Sequence, residues 1–182
     1  MVKVITPPAS EPVSLAEFKL CMRGVPISTA QEPMVNSILK AGREEAEKYQ
    51  NAAYMEQTLL IALDAPTSGA IILPRPLFKS LPSVACYDEN DIATDITASF
   101  AINDIACPAQ IKMKDGVGWP SIAYRNQNPV LITYQAGYTT VPEKVKQAIL
   151  IYAVWAYTHP GGDVPIPDAF YSLLRKGRVI PV

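Results

Sequence analysis

The sequence is poor in the residues that most enzymes use. It contains one histidine, His159, in 182 residues. Catalysis by a Ser-His or Cys-His pair needs a histidine beside the nucleophile, and a two-histidine metal site cannot be built from one residue. His159 stands just before Pro160 and two glycines, so we expect it to end a helix, where the helix dipole favours it. The scarcity of histidine therefore argues against these classes of enzyme and metal site.

Phosphate-binding and calcium-binding motifs are also missing. The segment 116–118 lacks the third glycine of a dinucleotide-binding motif, Pro120 would break the helix that should follow, and no GxxxxGK[ST] loop occurs. The acidic run 88–91 does not match an EF-hand, because Ala93 and Ser99 stand where glycine and glutamate are required. We expect a hairpin turn there. We predict no cofactor, no metal site and no enzymatic activity, with an unrecognised carboxylate pair as the remaining enzymatic alternative.

Cysteine, charge and long apolar runs are scarce as well. Cys21, Cys86 and Cys107 lie far apart without CxxC spacing, which predicts buried free thiols in a reducing compartment. No apolar run is long enough for a transmembrane helix, and Pro7-Pro8 closely follows Lys3, so we expect no signal peptide. Charged residues make up 18% of the chain and its net charge is -1. This balance argues against a general nucleic-acid binder and favours a subunit of an assembly.

The segment 139–160 predicts the helix on which the other elements pack. Residues 148–157 carry no charge, and apolar side chains occur on both faces. A helix that is apolar all round is expected to be buried, and ten residues are about half the length that spans a bilayer. Pro142 suits a first helical turn, and Thr140 and Glu143 have the spacing of a capping box. We therefore predict a buried central helix.

Three further helices are predicted. Ser14 and Glu17 have capping-box spacing at the start of a short first helix. A long amphipathic helix is expected from about residue 30 to 51, with the charges between 43 and 48 facing solvent or a neighbouring subunit. A short last helix is expected from 169 to about 176.

Between residues 57 and 135 the apolar period changes to that of strands. The segment 130–135 has the clearest strand pattern, and turn signals every eight to twelve residues predict a small antiparallel sandwich or barrel. Trp119 and Tyr124, next to Arg125, have the chemistry to stack on nucleic-acid bases, but packing within a loop is the interpretation we favour.

The predicted fold class is therefore α+β. We expect a helical core of two N-terminal helices, a buried central helix and a short C-terminal helix, with an antiparallel β-rich insertion. One domain is expected over residues 1–182. It would comprise an N-terminal helical part (1–56), the β-rich insertion (57–137), and the C-terminal helices and tail (138–182).

Three stretches of the sequence, in the same order and spacing, resemble the head–tail connector proteins of tailed bacteriophages, also called adaptors or head-completion proteins. The first runs from residue 5 to 23, the second from 73 to 88, and the third from 134 to 149. Two segments depart from the family pattern. Residues 27–31 replace acidic residues often found between the first two helices, and residues 159–160 replace an arginine common after the central helix.

The resemblance implies a virion structural protein that forms a ring, typically of twelve copies, below the portal. Such a ring extends the channel through which double-stranded DNA passes and binds the next neck, stopper or tail protein, without any membrane partner. It would be assembled in the host cytoplasm and reside in the head–tail neck. A net charge near zero suits a channel that DNA crosses without being held.

We assign the contact with the portal to the C-terminal tail, because it is apolar, basic and terminal, a combination that is disordered unless it is tied down. The assigned residues are Arg175, Lys176, Arg178, Val179 and Ile180. Two alternatives remain open at this point. The protein is another neck or tail-completion protein, or it is a β-rich binding module without catalytic activity.

Overall fold

The structure, a computed structural model, describes residues 2–161 and 164–179. Its strands and helices, in chain order, are β1 (Val2–Thr6), α1 (Leu15–Cys21), α2 (Glu32–Gln50), β2 (Gln57–Leu63), β3 (Ile71–Ile72), β4 (Phe78–Tyr87), β5 (Ala93–Asp95), β6 (Phe100–Asn103), β7 (Gln110–Met113), β8 (Val130–Ala136), α3 (Glu143–Thr158) and α4 (Asp168–Leu174). By their contacts the residues form two units. A β unit contains the residues up to 8 and those from 56 to 137, and a helical unit contains 9–55 and the residues from 138 onward.

The β unit contains two antiparallel sheets. The larger has five strands in the order β1-β2-β8-β4-β5, and the smaller has three in the order β3-β7-β6. Strand β8, the clearest in the sequence, lies at the centre of the larger sheet, and its alternate residues Val130, Ile132, Tyr134 and Ala136 are buried. These pairings confirm the predicted antiparallel β-rich insertion. Strand β1 pairs with β2 at one edge, although it precedes the helices in the sequence.

Strand β4 begins earlier than its sequence pattern suggests. The apolar alternation is visible only from Ser83, but the strand starts at Phe78 and pairs with β8 along its length. Its register against β8 shifts twice, between Phe78 and Ser80 and between Ser80 and Ser83. The second shift spans Pro82, which has no backbone N–H to give to a ladder. The proline therefore conceals the first half of the strand from a sequence pattern.

The helical unit is built on α3. Helices α1, α2 and α4 each pack on it, and together they enclose a core of fully buried apolar side chains. Phe18 of α1 and Phe170 of α4 are buried completely. Gly42 lets α2 approach α3 closely, because a Cβ atom at this position would lie 2.9 Å from Cδ1 of Tyr152. This arrangement confirms the predicted central helix with the others around it.

The ends of the helices follow the sequence signals only in part. Ser14 and Glu17 form the predicted capping box, in which the Glu17 N–H donates to Ser14 Oγ at 3.2 Å and the Ser14 N–H donates to Glu17 Oε2 at 2.6 Å. The box predicted at Thr140 does not form, because Pro142 takes the capping position in an extended conformation. Glu143 instead accepts a hydrogen bond from Lys146 at 2.9 Å.

The predicted burial of the cysteines is correct for one of the three. The three cysteines are free, as predicted, but only Cys86 is buried, whereas Cys21 and Cys107 are exposed. The prediction of buried thiols is therefore wrong for two of them. None of the helices in the described ranges combines the length and the hydrophobicity needed to cross a bilayer.

Candidate assembly surface

One side of α3 is left partly uncovered by the described residues of the helical unit. Val145, Ala148, Ile149 and Ala153 are buried against the other helices. The opposite side borders a groove of about 560 Å³, which we call the α3 groove. Its apolar floor and rims are formed by Leu150, Ile151, Val154 and Trp155 of α3, with Cys21 of α1 and Pro167 before α4. The central helix is thus buried along one face, whereas its composition predicts burial all round.

The α3 groove is apolar in character. The described side chains that line it include no Asp, Glu, Lys or Arg. Trp155 also has a buried indole Nε1 for which the described residues provide no hydrogen-bond acceptor. An unpartnered buried donor costs about 1–3 kcal/mol. Such a surface is suited to apolar protein side chains and unsuited to a charged ligand.

The single histidine lies at the end of α3, as predicted. His159 Nδ1 is 3.1 Å from the carbonyl oxygen of Trp155, and the Thr158 hydroxyl donates to the Val154 carbonyl at 2.9 Å. Both side chains are exposed and engage the last turn of the helix. His159 therefore acts as a helix-terminal residue in the described structure.

The residues assigned to the portal contact follow α4 directly. Arg175–Gly177 form a 3₁₀ turn, and the side chains of Arg175, Lys176 and Arg178 are exposed, whereas Val179 is half-buried. Arg178 places its guanidinium 5.4 Å from the centre of the Tyr49 ring. The tail is therefore an ordered segment with three accessible cations. Ile180 lies outside the described residues.

Gln50, the last residue of α2, ties this tail to the helical unit. Its side-chain amide donates to the Leu174 carbonyl, and its backbone carbonyl accepts a hydrogen bond from the Val179 N–H at 3.0 Å. Gly177 passes so close that a Cβ atom there would lie 2.6 Å from Nε2 of Gln50. A side chain at position 177 would therefore displace the Gln50 amide that binds the Leu174 carbonyl.

A buried polar network continues from Gln50 along α2. The Tyr54 hydroxyl donates to Gln50 Oε1 at 2.7 Å, and the Tyr54 N–H donates to Glu47 Oε1 at 2.9 Å. The other oxygen of Glu47 accepts from Arg43 Nη1 at 2.8 Å, and Arg43 Nε donates to Glu11 at 2.7 Å. Arg43 and Glu47 are each 3% exposed, so the prediction that the charges of residues 43–48 face outward is wrong for these two.

The electrostatics of the network follow from its partners. Burial by itself would lower the pKa of Arg43, but the hydrogen bond to Glu11 and the charge of Glu47 outweigh it and raise the pKa above its usual value. Burial, with smaller contributions from the charges of Tyr138 and Glu47, also raises the pKa of the Tyr54 hydroxyl. Arg43 is therefore a fixed cation inside the helical unit, and Tyr54 stays neutral as a hydrogen-bond donor.

The other residues considered for chemistry have structural contacts. Asp88 accepts from the N–H groups of Asn90 and Ile92 at 2.9 and 2.8 Å, so the acidic run forms a turn between β4 and β5 as predicted. Among the described residues, no group of three or more His, Cys, Asp or Glu side chains is placed to hold a metal ion.

The aromatic loop residues pack within the β unit. The Trp119 indole N–H donates to the Thr67 carbonyl at 2.8 Å, and its ring meets Phe100 edge-on. The guanidinium of Arg125 lies 4.1 Å from the centre of the Tyr87 ring. Loop packing, the interpretation favoured from the sequence, therefore accounts for these side chains.

Sequence reasoning missed both the α3 groove and the Gln50 network. The uncovered face of α3 leaves no trace in a run of apolar residues, because composition does not reveal how many neighbours a helix has. The sequence did contain a signal for the network, because Glu47 follows Arg43 by four residues, the spacing at which two side chains of a helix form an ion pair.

The fold defines the chain as an α+β protein with a helical core and an antiparallel insertion. No protein-family model matches the sequence, and no curated protein matches it. Solved structures share the fold over the whole chain. A chain in the neck of an empty gene transfer agent (GTA) particle computed with C6 symmetry has a TM-score of 0.81 at 21% identity and covers 100% of this chain and 97% of its own length.

Two further structures give the same result. A chain in the virion of the native GTA particle has a TM-score of 0.80 at 21% identity, and one in the neck of the native GTA particle computed with C12 symmetry has 0.78 at 20%. Each covers 100% of this chain and 97% of the matched one. The protein therefore has the fold of chains found in GTA particles, two of them in the neck, which agrees with the fold expected from the resemblance to connectors.

Proposed function

We propose that the protein is a non-catalytic structural component of the neck of a tailed phage or a phage-like particle. In this role it forms a ring adaptor that joins the portal to the next neck or tail protein and extends the DNA channel. The observation that carries the proposal is the shared fold with a chain of a GTA particle neck, which covers 100% of this chain and 97% of that one.

Ring formation has two supports. The neck structures with this fold were computed with C6 and C12 symmetry, and a ring of twelve copies is compatible with both. Cyclic rings are built from one heterologous interface, repeated until it closes. A surface with few charges suits such an interface, and 18% of the residues are charged.

Passage of double-stranded DNA through the ring is compatible with the net charge of -1, because a chain with this charge would hold few phosphates.

Electron microscopy of the purified protein mixed with the portal protein of the same particle tests the proposed function. We expect rings of this chain seated on the portal, and co-purification of the two proteins. The portal must be present, because a ring that forms on a template need not form alone. If the chain instead binds the far end of the assembled neck or tail and never the portal, it is another neck or tail-completion protein. A chain that binds neither contradicts a role in the neck.

The tail is the proposed contact with the portal. Its three cations, Arg175, Lys176 and Arg178, are exposed on an ordered segment, so they are available to acidic side chains of a partner. Val179 and Ile180 would add an apolar contact next to them. Accessible charges speed association and set its orientation, whereas apolar side chains supply most of the affinity.

A truncation after Gly177 tests this assignment. The change removes the Val179–Gln50 hydrogen bond and the contact of Arg178 with Tyr49, so we expect a loss of about 1–2 kcal/mol in the free energy of unfolding. Capture by immobilised portal protein should be abolished while the circular dichroism spectrum is kept. The matched control is Lys48→Ala, which removes an exposed cation of α2 outside the tail. Undiminished capture of the truncated chain would mean that the residues from 178 onward are not the anchor.

A further inference from the structure

We propose that the α3 groove binds an apolar surface of a second copy of this chain and forms one half of the contact between neighbouring subunits. The inference rests on the proposed ring and names the surface by which the ring is held together. The contact proposed here joins neighbouring subunits, whereas the tail is proposed to contact the portal.

The chemistry of the groove favours an apolar protein surface over an ionic ligand or nucleic acid as its occupant. The polar side chains of the described lining are Gln147, Thr158 and His159, and it has no Asp, Glu, Lys or Arg. An ionic ligand or nucleic acid would therefore lose hydration with no counter-charge in return. A volume of about 560 Å³ is within the usual range of sites that enclose a compact group of apolar atoms. Leu150, Ile151 and Val154 stand side by side along its floor, at the spacing by which a helix presents an apolar stripe.

The symmetry of the proposed ring decides which protein provides that surface. In a cyclic ring each copy uses two different surfaces, one to receive the preceding copy and one to reach the next. A groove on every copy therefore needs an uncharged, protruding surface on every copy. The helical unit offers exposed apolar side chains outside the groove lining, since Val25 is 50% exposed and Met34 is 48% exposed. Because the groove and these side chains carry no charge, neither opposes contact between identical copies.

The unpartnered Trp155 N–H gives a second, independent reason for an occupant. Trp155 lines the groove, and its buried Nε1 has no acceptor among the described residues, although a buried polar atom almost always has one. An adjacent copy can provide a backbone carbonyl once the indole turns towards it. Contact between subunits would then relieve a cost that the isolated subunit carries.

Photo-cross-linking from the groove tests the proposal, because Cys21 places an exposed thiol on its rim. Cys86 is buried, so in a Cys107→Ser variant Cys21 is the accessible thiol and takes a benzophenone maleimide. The labelled chain is assembled with portal protein, irradiated and separated by size. We expect a ladder of dimers and larger products, with the attached peptide outside the groove, as a heterologous contact requires.

Two variants show whether the cross-links depend on the groove. Val154→Asp places a charge on its floor at a partly exposed position and should reduce the cross-linked fraction at least tenfold, with the circular dichroism spectrum unchanged. Lys48→Asp places the same residue on the exposed side of α2 and should leave the fraction within about twofold of the parent.

The other outcomes overturn the proposal in distinguishable ways. If rings form on the portal and Cys21 links only within its own copy, or Val154→Asp assembles normally, the groove is not the interface but the proposed function stands. If the labelled chain and its unlabelled parent both fail to form any ring on the portal, the groove and the ring adaptor are both rejected.

Discussion

Helices α2 and α3 depart from their sequence patterns in opposite directions. Helix α2 has a charged face whose members Arg43 and Glu47 are buried, each 3% exposed. Helix α3 is apolar on both faces, yet Leu150 and Val154 remain only half-buried and border an open groove. Two charged side chains of α2 are therefore buried where the pattern predicts exposure. Two apolar side chains of α3 are partly exposed where the pattern predicts burial.

The difference shows that a helical pattern records the type of side chain but not its partners. Arg43 can be buried because Glu11 accepts from its Nε and Nη2 and Glu47 accepts from its Nη1, and Glu47 in turn accepts from the Tyr54 N–H. A buried charge is tolerated when opposite charges accept its hydrogen bonds. Among the described residues of its own unit the uncovered face of α3 has no such partner, which is the reason to look for one in another copy.

Arg43→Met should have the largest effect on stability. It removes the guanidinium that pairs with the buried Glu47, and breaking a buried pair from one side costs about 3–5 kcal/mol. The free energy of unfolding from urea titration at neutral pH measures the loss.

Two matched variants separate the loss of the pair from a mere change of shape. Lys48→Met alters an exposed cation of the same helix and should change stability by no more than about 0.5 kcal/mol. The double variant Arg43→Met with Glu47→Gln should recover part of the loss, because no full charge is then left at position 47 and the amide can still accept from the Tyr54 N–H. A double variant that is less stable than Arg43→Met would contradict this account.

The two faces of α3 should respond differently to the same truncation. Ile149 is fully buried, so Ile149→Ala leaves a cavity and should cost about 2–5 kcal/mol. Leu150 is next to it in sequence but half-exposed at the groove, and Leu150→Ala should cost roughly 1 kcal/mol. Thermal and urea unfolding of the isolated chain measure both. Equal losses would mean that the face towards the groove is as well packed as the core, and the distinction between the faces would fail.

Much of the fold could be predicted because the signals were local. The capping box of Ser14 and Glu17 depends on residues three apart, and the alternation of β8 depends on residues two apart. The start of β4 could not be predicted, because Pro82 interrupts the alternation and the partner that continues the strand, β8, comes about fifty residues later. Strand β1 has the same difficulty, since its pairing with β2 depends on a long-range contact.

The candidate surface was harder to predict than the fold. The cations of the tail are visible in the sequence, but the anchor that orders the tail is Gln50, 124 residues before Leu174. The groove appears only when α1, α3 and the segment before α4 are brought together, as Cys21, Trp155 and Pro167 are. No short-range pattern encodes a surface made of three separate segments.

The smallest effect is expected at Glu17, a partly exposed carboxylate, in contrast to the buried Glu47. Glu17 accepts hydrogen bonds from the Ser14 N–H and hydroxyl, which are the main causes that hold its pKa below 4.5. Because the pKa is lower in the folded chain, the charge stabilises fully above about pH 4.5 and its contribution is lost as the pH falls through the folded pKa. Glu17→Gln can keep the hydrogen bonds of the capping box and remove only this charge.

We therefore expect Glu17→Gln to cost a few tenths of a kcal/mol at neutral pH, because solvent screens an exposed charge at a helix start. Urea titrations at about pH 7 and pH 3 should show the difference between variant and parent shrinking at the lower pH, as Glu17 takes up its proton. Ser14→Ala removes the hydroxyl of the box instead, and should cost about 1 kcal/mol at neutral pH. A difference for Glu17→Gln that grows on acidification would show that the carboxylate stabilises α1 in its protonated form. The contrast with Glu47, whose carboxylate is buried and paired with Arg43, would then no longer hold.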